Sequence, residues 1–188
     1  MASILPMDEL NRLDAEIRER FGGESLEKRD KREEEDIIDE LLDLFLLAYA
    51  MGNSVTNDNL SSNYEPSLDD VIGVVDAKVA GKTWRERVED YFANGGTGAD
   101  IARIATTESH RIANQAAYET AKKAGATEKT WHCMMLQTSR DTHIYLDGVT
   151  APIDGEFYSF KGGSTMYPGQ WGIAEEDVNC LCWLTFSK

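Results

Sequence analysis

The chain is short of basic charge, of long apolar runs and of cysteine, and each shortage removes a class of explanation. Nineteen Lys and Arg face 34 Asp and Glu, for a net charge of −15. That balance excludes the broad basic footprint of a general nucleic-acid binder. The acidity is uneven. Residues 1–76 hold 7 basic and 20 acidic groups, residues 77–130 hold 9 and 7, and residues 131–188 hold 3 and 7. Any DNA contact is therefore expected to be local, within 78–130. The apolar run LLDLFLLAYAMG at 41–52 falls short of the roughly 20 apolar residues that a bilayer span needs. It reads as a buried helix, and no membrane partner is expected. The start, MASILPMDEL, lacks the charged n-region and long apolar core of an export signal. With three cysteines and no such signal, thiols or a metal site are expected before disulfides. No phosphate loop, HExxH or dinucleotide fingerprint is present, which argues against the common catalytic classes.

What is present divides in two. At 188 residues, 41% hydrophobic and 28% charged, the chain has the length for one domain or two small ones with a real core. Leu10, Leu13, Ile17 and Phe21 make one stripe of a helix over Asp8–Phe21, stopped by Gly22-Gly23. A uniformly charged stretch follows, either a solvated linker or a helix start. A second helix is predicted from Glu34 to Met51, with Ile37, Ile38, Leu41, Leu42, Phe45 and Leu46. Its last turns are apolar nearly all round, so it needs a partner surface. Gly52 and Asn53 are expected to end it, and NSVTNDNLSSNYEP reads as turn-rich and mobile. Residues 1–65 are thus expected to be an acidic helical arm with a mobile linker, and 66–188 a domain of its own.

In that domain Ser67 with Asp70 and Thr83 with Glu86 form capping-box starts of two short helices. Residues 98–124 form a long helix closed by Gly125, with Lys122 and Lys123 favouring the dipole of the last turn. After Gly125 the texture changes to short aromatic and Thr-rich runs between Asp-Gly, Gly-Gly and Pro-Gly. Strands are predicted near 130–136, 149–153, 156–160 and 181–186, with a tight turn at Asp147-Gly148. The fold class is therefore α+β: a helical front two-thirds, then a small β-rich unit packed on a long helix.

The chemistry-bearing residues collect at the end. All three cysteines and two of the three histidines fall within 131–188. Thiolate and imidazole suit zinc, which takes four ligands at a structural site. His143, Cys180 and Cys182 are the candidate ligands, with Cys133, His132 or Asp147 as a fourth. The competing picture is two inert buried thiols on one face of a closing strand, with Leu181 and Trp183 on the other. A Cys-His nucleophilic pair lacks a third, orienting group. On the long helix Glu108, Arg111 and Gln115, and His110 with Asn114, recur at helical spacings. They are either a polar face that grips the β unit or a ligand, or a solvated face with one ion pair.

Five pieces in order resemble the Mu F-like phage head morphogenesis family, also called minor head or minor capsid proteins. They are DAKVAGKTWRERV (76–88), TESHRIANQAAY (107–118), Arg140-Asp141-Thr142-His143 with Leu146-Asp147-Gly148, Met166-Tyr167-Pro168-Gly169, and Asn179-Cys180-Leu181-Cys182 before an aromatic strand. The resemblance covers about 76–188. It implies a non-enzymatic virion protein of capsid assembly, located in the phage head, and in the host cytoplasm during assembly. Its implied partners are the portal, and the major capsid or scaffold protein. Self-association through 34–51 is a further expectation for the arm. The resemblance also implies that His143, Cys180 and Cys182 are the equivalent of a Cys/His metal knuckle; Arg140, Asp141, Asp147 and Asn179, from the same motifs, are expected to be structural or interaction residues. This chain departs from the family pattern at Gln137 and Thr138, where relatives often carry Asp and Arg, and at Leu181, where they usually carry Arg. Those charges are absent here, while packing at the same positions is retained. Some longer relatives carry toxin domains after this unit; with Lys188 last, none is expected. The alternative class is a zinc- or cysteine-dependent enzyme, or a phage-carried effector, built on the same cluster.

Overall fold

The computed structural model describes Ala15, Glu19 and residues 30–188. Those two positions apart, the helix expected over Asp8–Phe21 and the charged stretch up to Arg29 lie outside the described residues. Helix α1 runs Lys31–Leu60. It starts at Asp30, whose carboxylate accepts from the Arg32 and Glu33 N–H groups, while Glu33 takes the Asp30 N–H in return. This capping box satisfies donors that a helix start otherwise leaves orphaned.

Gly52 does not end α1, as the sequence reading expected. A Cβ at Gly52 would lie 2.2 Å from the Ala113 carbonyl oxygen. The glycine lets two helix backbones approach closely, which local sequence cannot reveal. Asn53 and Asn57, expected in a mobile turn, are helical. Their amides donate to the Tyr64 carbonyl at 3.3 and 2.9 Å, and Asn53 also donates to Thr120 Oγ1 at 2.9 Å. The helix closes at Ser61, in the left-handed region at φ 50°. Helix and hydrogen-bonded turn thus replace most of the predicted linker.

Helices α2 (Leu68–Val75), α3 (Trp84–Ala93) and α4 (Gly98–Lys123) begin at Ser67, Thr83 and Thr97, each with a reciprocal capping box to Asp70, Glu86 and Asp100. Gly125, at φ 78°, turns the chain out of α4, and Ala126 N–H returns to the Ala121 carbonyl at 2.9 Å. That is the Schellman closure the glycine predicts. The first core unites Leu41, Phe45, Ala48, Val74, Trp84, Val88, Ile101, Ala105 and Ile112 from all four helices. Phe45 meets Trp84 edge-on at 5.0 Å. The partner surface that α1 needs is thus largely supplied from within the chain. Leu46 and Leu47 remain 40% and 50% exposed.

Beyond α4 the chain forms β1 (Glu128–His132), α5 (Asp141–Leu146), β2 (Thr150–Pro152), β3 (Phe157–Tyr158), β4 (Ser164–Thr165), α6 (Ala174–Asp177) and β5 (Trp183–Ser187). The main sheet has the order β2-β1-β5, antiparallel throughout, with Trp131 opposite Leu184. β3 and β4 form a separate hairpin. A second core holds Tyr118, Trp131, Leu146, Phe157, Tyr167, Leu184 and the three cysteines. The α+β reading stands. Helices α5 and α6 were not expected; each is too short to show a hydrophobic period.

Candidate functional site

His143 lies on α5, one turn before the Asp147-Gly148 corner. Arg140, at the N-cap of α5, sends its guanidinium to the Glu175 and Val178 carbonyls at the end of α6. That contact fixes the two short helices against each other. Cys180 and Cys182 stand just before β5, which starts at Trp183. The expected alternation still holds: both cysteines are buried and Leu181 between them is half-buried. Asn179 ahead of them takes a left-handed conformation at φ 54°, and its N–H donates to Thr107 Oγ1 on α4 at 3.1 Å. Asn114, also on α4, donates to the Cys182 carbonyl at 3.0 Å. The C-x-C segment is therefore pinned to the long helix at both ends.

These elements bring three groups to one point. His143 Nδ1 lies 3.5 Å from Cys180 Sγ and 3.4 Å from Cys182 Sγ. The three ligand atoms all lie within 4.8 Å of one another, and all three side chains are buried. A tetrahedral zinc, with Zn–S about 2.3 Å and Zn–N about 2.0 Å, has S···N edges of roughly 3.6 Å. The donor set and its spacing fit such an ion. A hydrogen bond from Cys182 stabilises a thiolate on Cys180 and, together with His143, holds its pKa well below the ordinary thiol value. The same bond pushes Cys182 upward. One thiol of the pair is thus already disposed to the deprotonated form that binds metal.

The far side of the imidazole is also held. His143 Nε2 sits 3.0 Å from Glu176 Oε2, close enough for an ion pair though not aligned for a linear hydrogen bond. Thr142 Oγ1 donates to the same oxygen at 2.8 Å. A carboxylate behind a ligating imidazole orients it and raises its basicity. Glu176 was missed from sequence. Its one visible signal was an acidic residue four positions before Cys180.

The other expected ligands divide. Cys133 is outside the three-atom group, but it lines the same small cavity, of about 40 Å³, with His143 and Cys182. Asp147 accepts the Cys133 N–H at 2.8 Å, so its carboxylate serves the turn. His132 is elsewhere: it bonds Thr185 Oγ1 at 2.8 Å, stacks on Trp183, and has its pKa lowered by burial. Asp141 is exposed in the first turn of α5.

The polar face of α4 is not solvated. Glu108 is 1% exposed and receives both Arg87, from α3, and Arg111 at 2.7 Å. Arg111 also reaches Gln115 at 3.0 Å and the Val74 carbonyl, in the last turn of α2, at 3.0 Å. Cationic donors at a helix C-terminus satisfy its orphan carbonyls. His110 is buried, and its carbonyl accepts from Asn114 at 2.9 Å. Gly169, at φ 87°, brings the Met166–Gly169 loop onto Arg111.

Two buried groups escaped the sequence reading. Lys129, fully buried on β1, donates to the Met166 carbonyl at 2.8 Å and lies over the Tyr118 and Phe157 rings. Burial pushes its pKa down to about 8. Asp177 takes the Trp171 and Gly172 N–H groups at 2.9 and 2.7 Å, and burial raises its pKa. Among the described residues, no helix is long and apolar enough to cross a membrane.

Comparison with known proteins follows the same residues. The model of the family described as "Phage Mu protein F like protein" matches residues 64–185. The chain is 34% identical over 85 residues to "Minor head protein GP7" of Bacillus phage SPP1, covering 44% of this chain and 28% of that protein. It is 32% identical over 148 residues to "NAD(+)--arginine ADP-ribosyltransferase EFV" of Enterococcus faecalis (strain ATCC 700802 / V583), covering 61% of this chain and 30% of the transferase. The chain thus spans less than a third of the length of either relative. No solved structure matches it at a significant level. The family match runs from α2 into β5 and takes in the whole His143–Cys180–Cys182 group, and the chain belongs to the family of phage Mu protein F like proteins.

Proposed function

We propose that this protein is a structural component of a phage head that acts in capsid assembly, with the portal as its partner. The observation that carries this reading is the family match over 64–185, together with the likeness to a minor head protein. The virion is then its place of action. The geometry supports a structural rather than a catalytic use of the sulfur cluster. His143 packs against Trp131 and Trp171, and Cys180 and Cys182 are buried with it, whereas a catalytic zinc keeps one position open to substrate. We read the group as a structural zinc centre whose fourth position falls to Cys133, across the small cavity.

The named transferase activity belongs to a relative of which this chain covers only 30%, so the chemistry of that protein need not lie in the shared stretch. Two assays separate the readings. The full-length chain, tagged in its phage, is expected in purified heads and in a pull-down with the portal. Its absence from heads would overturn the proposal. Incubation of the purified protein with NAD+ and an arginine-bearing acceptor is expected to give no transfer, and sustained turnover would favour the enzyme reading.

A further inference from the structure

A second cavity, of about 200 Å³, opens between α3 and α4 and shares no lining residue with the one beside the cysteines. Its walls combine apolar surface from Tyr91, Ile104 and Val178 with the guanidiniums of Arg87 and Arg103, over a floor formed by Glu108. Hydrogen-bond bookkeeping leaves donors in excess. Glu108 has both oxygens engaged, one by Arg87 and one by Arg111. Arg87 spends a single N–H on that contact, and its buried Nε–H has no partner. Arg103 bonds the Tyr91 hydroxyl at 2.8 Å and Asp100 at 2.7 Å, both through Nη2, which leaves Nη1 and Nε. An arginine carries five N–H donors, so most of both forks is unspent. Asp90, the other carboxylate at the cavity, is paired with Lys82.

Two guanidiniums (Arg87, Arg103) and two carboxylates (Glu108, Asp90) line the cavity, and both carboxylates also take a cation from outside it, Arg111 and Lys82. With Glu108 and Asp90 matched by Arg111 and Lys82, the unspent guanidinium N–H groups of Arg87 and Arg103 are what the cavity offers a further acceptor. A stripe for nucleic acid would present several cations to successive phosphates. At about 200 Å³ the space is also below the roughly 300–1,000 Å³ of sites for drug-sized ligands. The geometry points to a socket for one carboxylate on a short apolar stem, the glutamate side chain of a partner protein. Its stem would lie on Tyr91, Ile104 and Val178, and its oxygens would accept from Arg103 and Arg87. The socket's chemistry stands on this geometry alone; only the identity of the protein that fills it rests on the head-assembly reading.

The test is a titration of the isotope-labelled full chain, followed by amide and arginine Nε–H resonances. The probe is N-acetyl-glutamate amide, with one carboxylate. N-acetyl-glutamine amide and inorganic phosphate are the controls. The glutamate compound is expected to shift Tyr91, Ile104 and Val178 saturably in the millimolar range. Arg103→Gln is expected to weaken this about tenfold, the scale of one charge-assisted hydrogen bond. Should Arg103→Gln lose its thermal transition, Arg103→Lys serves instead, because it keeps the charge and removes the planar fork. Equal shifts with the glutamine compound, stronger binding of phosphate, no saturable shift, or an unaffected Arg103 variant would each overturn the socket. None of these results bears on incorporation into heads, so the two readings fail separately.

Discussion

The four-helix part, residues 31–123, closes on an apolar core, whereas residues 126–188 close on sulfur, imidazole, indole and a buried ammonium. In the first part Leu41, Phe45, Trp84, Val88, Ile101 and Ile112 meet in one cluster fed by long amphipathic helices. In the second, strands of two to five residues have little apolar surface of their own. Trp131 carries much of that core, against Phe157 at 5.2 Å, His143 at 5.7 Å and Trp171 at 6.0 Å. Small units with little core are commonly stapled by disulfides or metals. If the proposed zinc centre forms, the two parts differ in what removes their stability: lost packing volume in one, lost ligands in the other.

The largest break should come at the proposed zinc group. His143→Ala or Cys180→Ser is expected to abolish stoichiometric zinc and the cooperative melting of 128–187, because metal affinity in such sites is folding energy. Elemental analysis and near-ultraviolet circular dichroism check it. Wild-type protein without bound zinc would leave two buried thiols and a histidine as the whole cluster.

Next is the charged seam that joins α2 and α3 to α4. Glu108→Leu should cost about 3–5 kcal/mol, since it leaves buried Arg111 without its carboxylate. Urea unfolding of the variant measures it, and a loss under 1 kcal/mol would show that the seam is solvated in practice. Gly52→Ala sharpens the packing side: its Cβ would meet the Ala113 carbonyl. About 1–3 kcal/mol of overpacking cost is expected, against a small gain at an unconstrained helical glycine.

The smallest effect is a pH slope. Lys129 has a folded pKa of about 8, below its unfolded value of about 10.4. The unfolded chain therefore binds more protons between these values, and stability should rise with pH across that window. Lys129→Met should remove this contribution, on the order of 1–3 kcal/mol by pH 10.4. Paired melting curves at pH 7 and pH 10 give the difference; identical slopes would mean that the ammonium stays charged among its rings.

The same division explains what sequence could and could not show. The starts of α2 and α3 were legible because Ser67–Asp70 and Thr83–Glu86 are local signals, read within four residues. Gly52 was misread because its meaning depends on Ala113, distant in the chain. The His143, Cys180 and Cys182 set was visible as residue types, yet α5, which presents the imidazole, spans only six residues and has no period to detect. Glu176 and Lys129 carry no local signal that marks them as buried. Their burial is set by tertiary packing, which composition and spacing do not encode.

Hydrogen exchange of the full chain, with and without a zinc chelator, is the most direct test of a metal-held β-rich unit. Chelation is expected to strip protection from β1, β2 and β5 while the amides of α1 and α4 keep theirs. Unchanged protection in the strands, or equal loss in both parts, would contradict the claim that the β-rich unit alone is held by a metal staple.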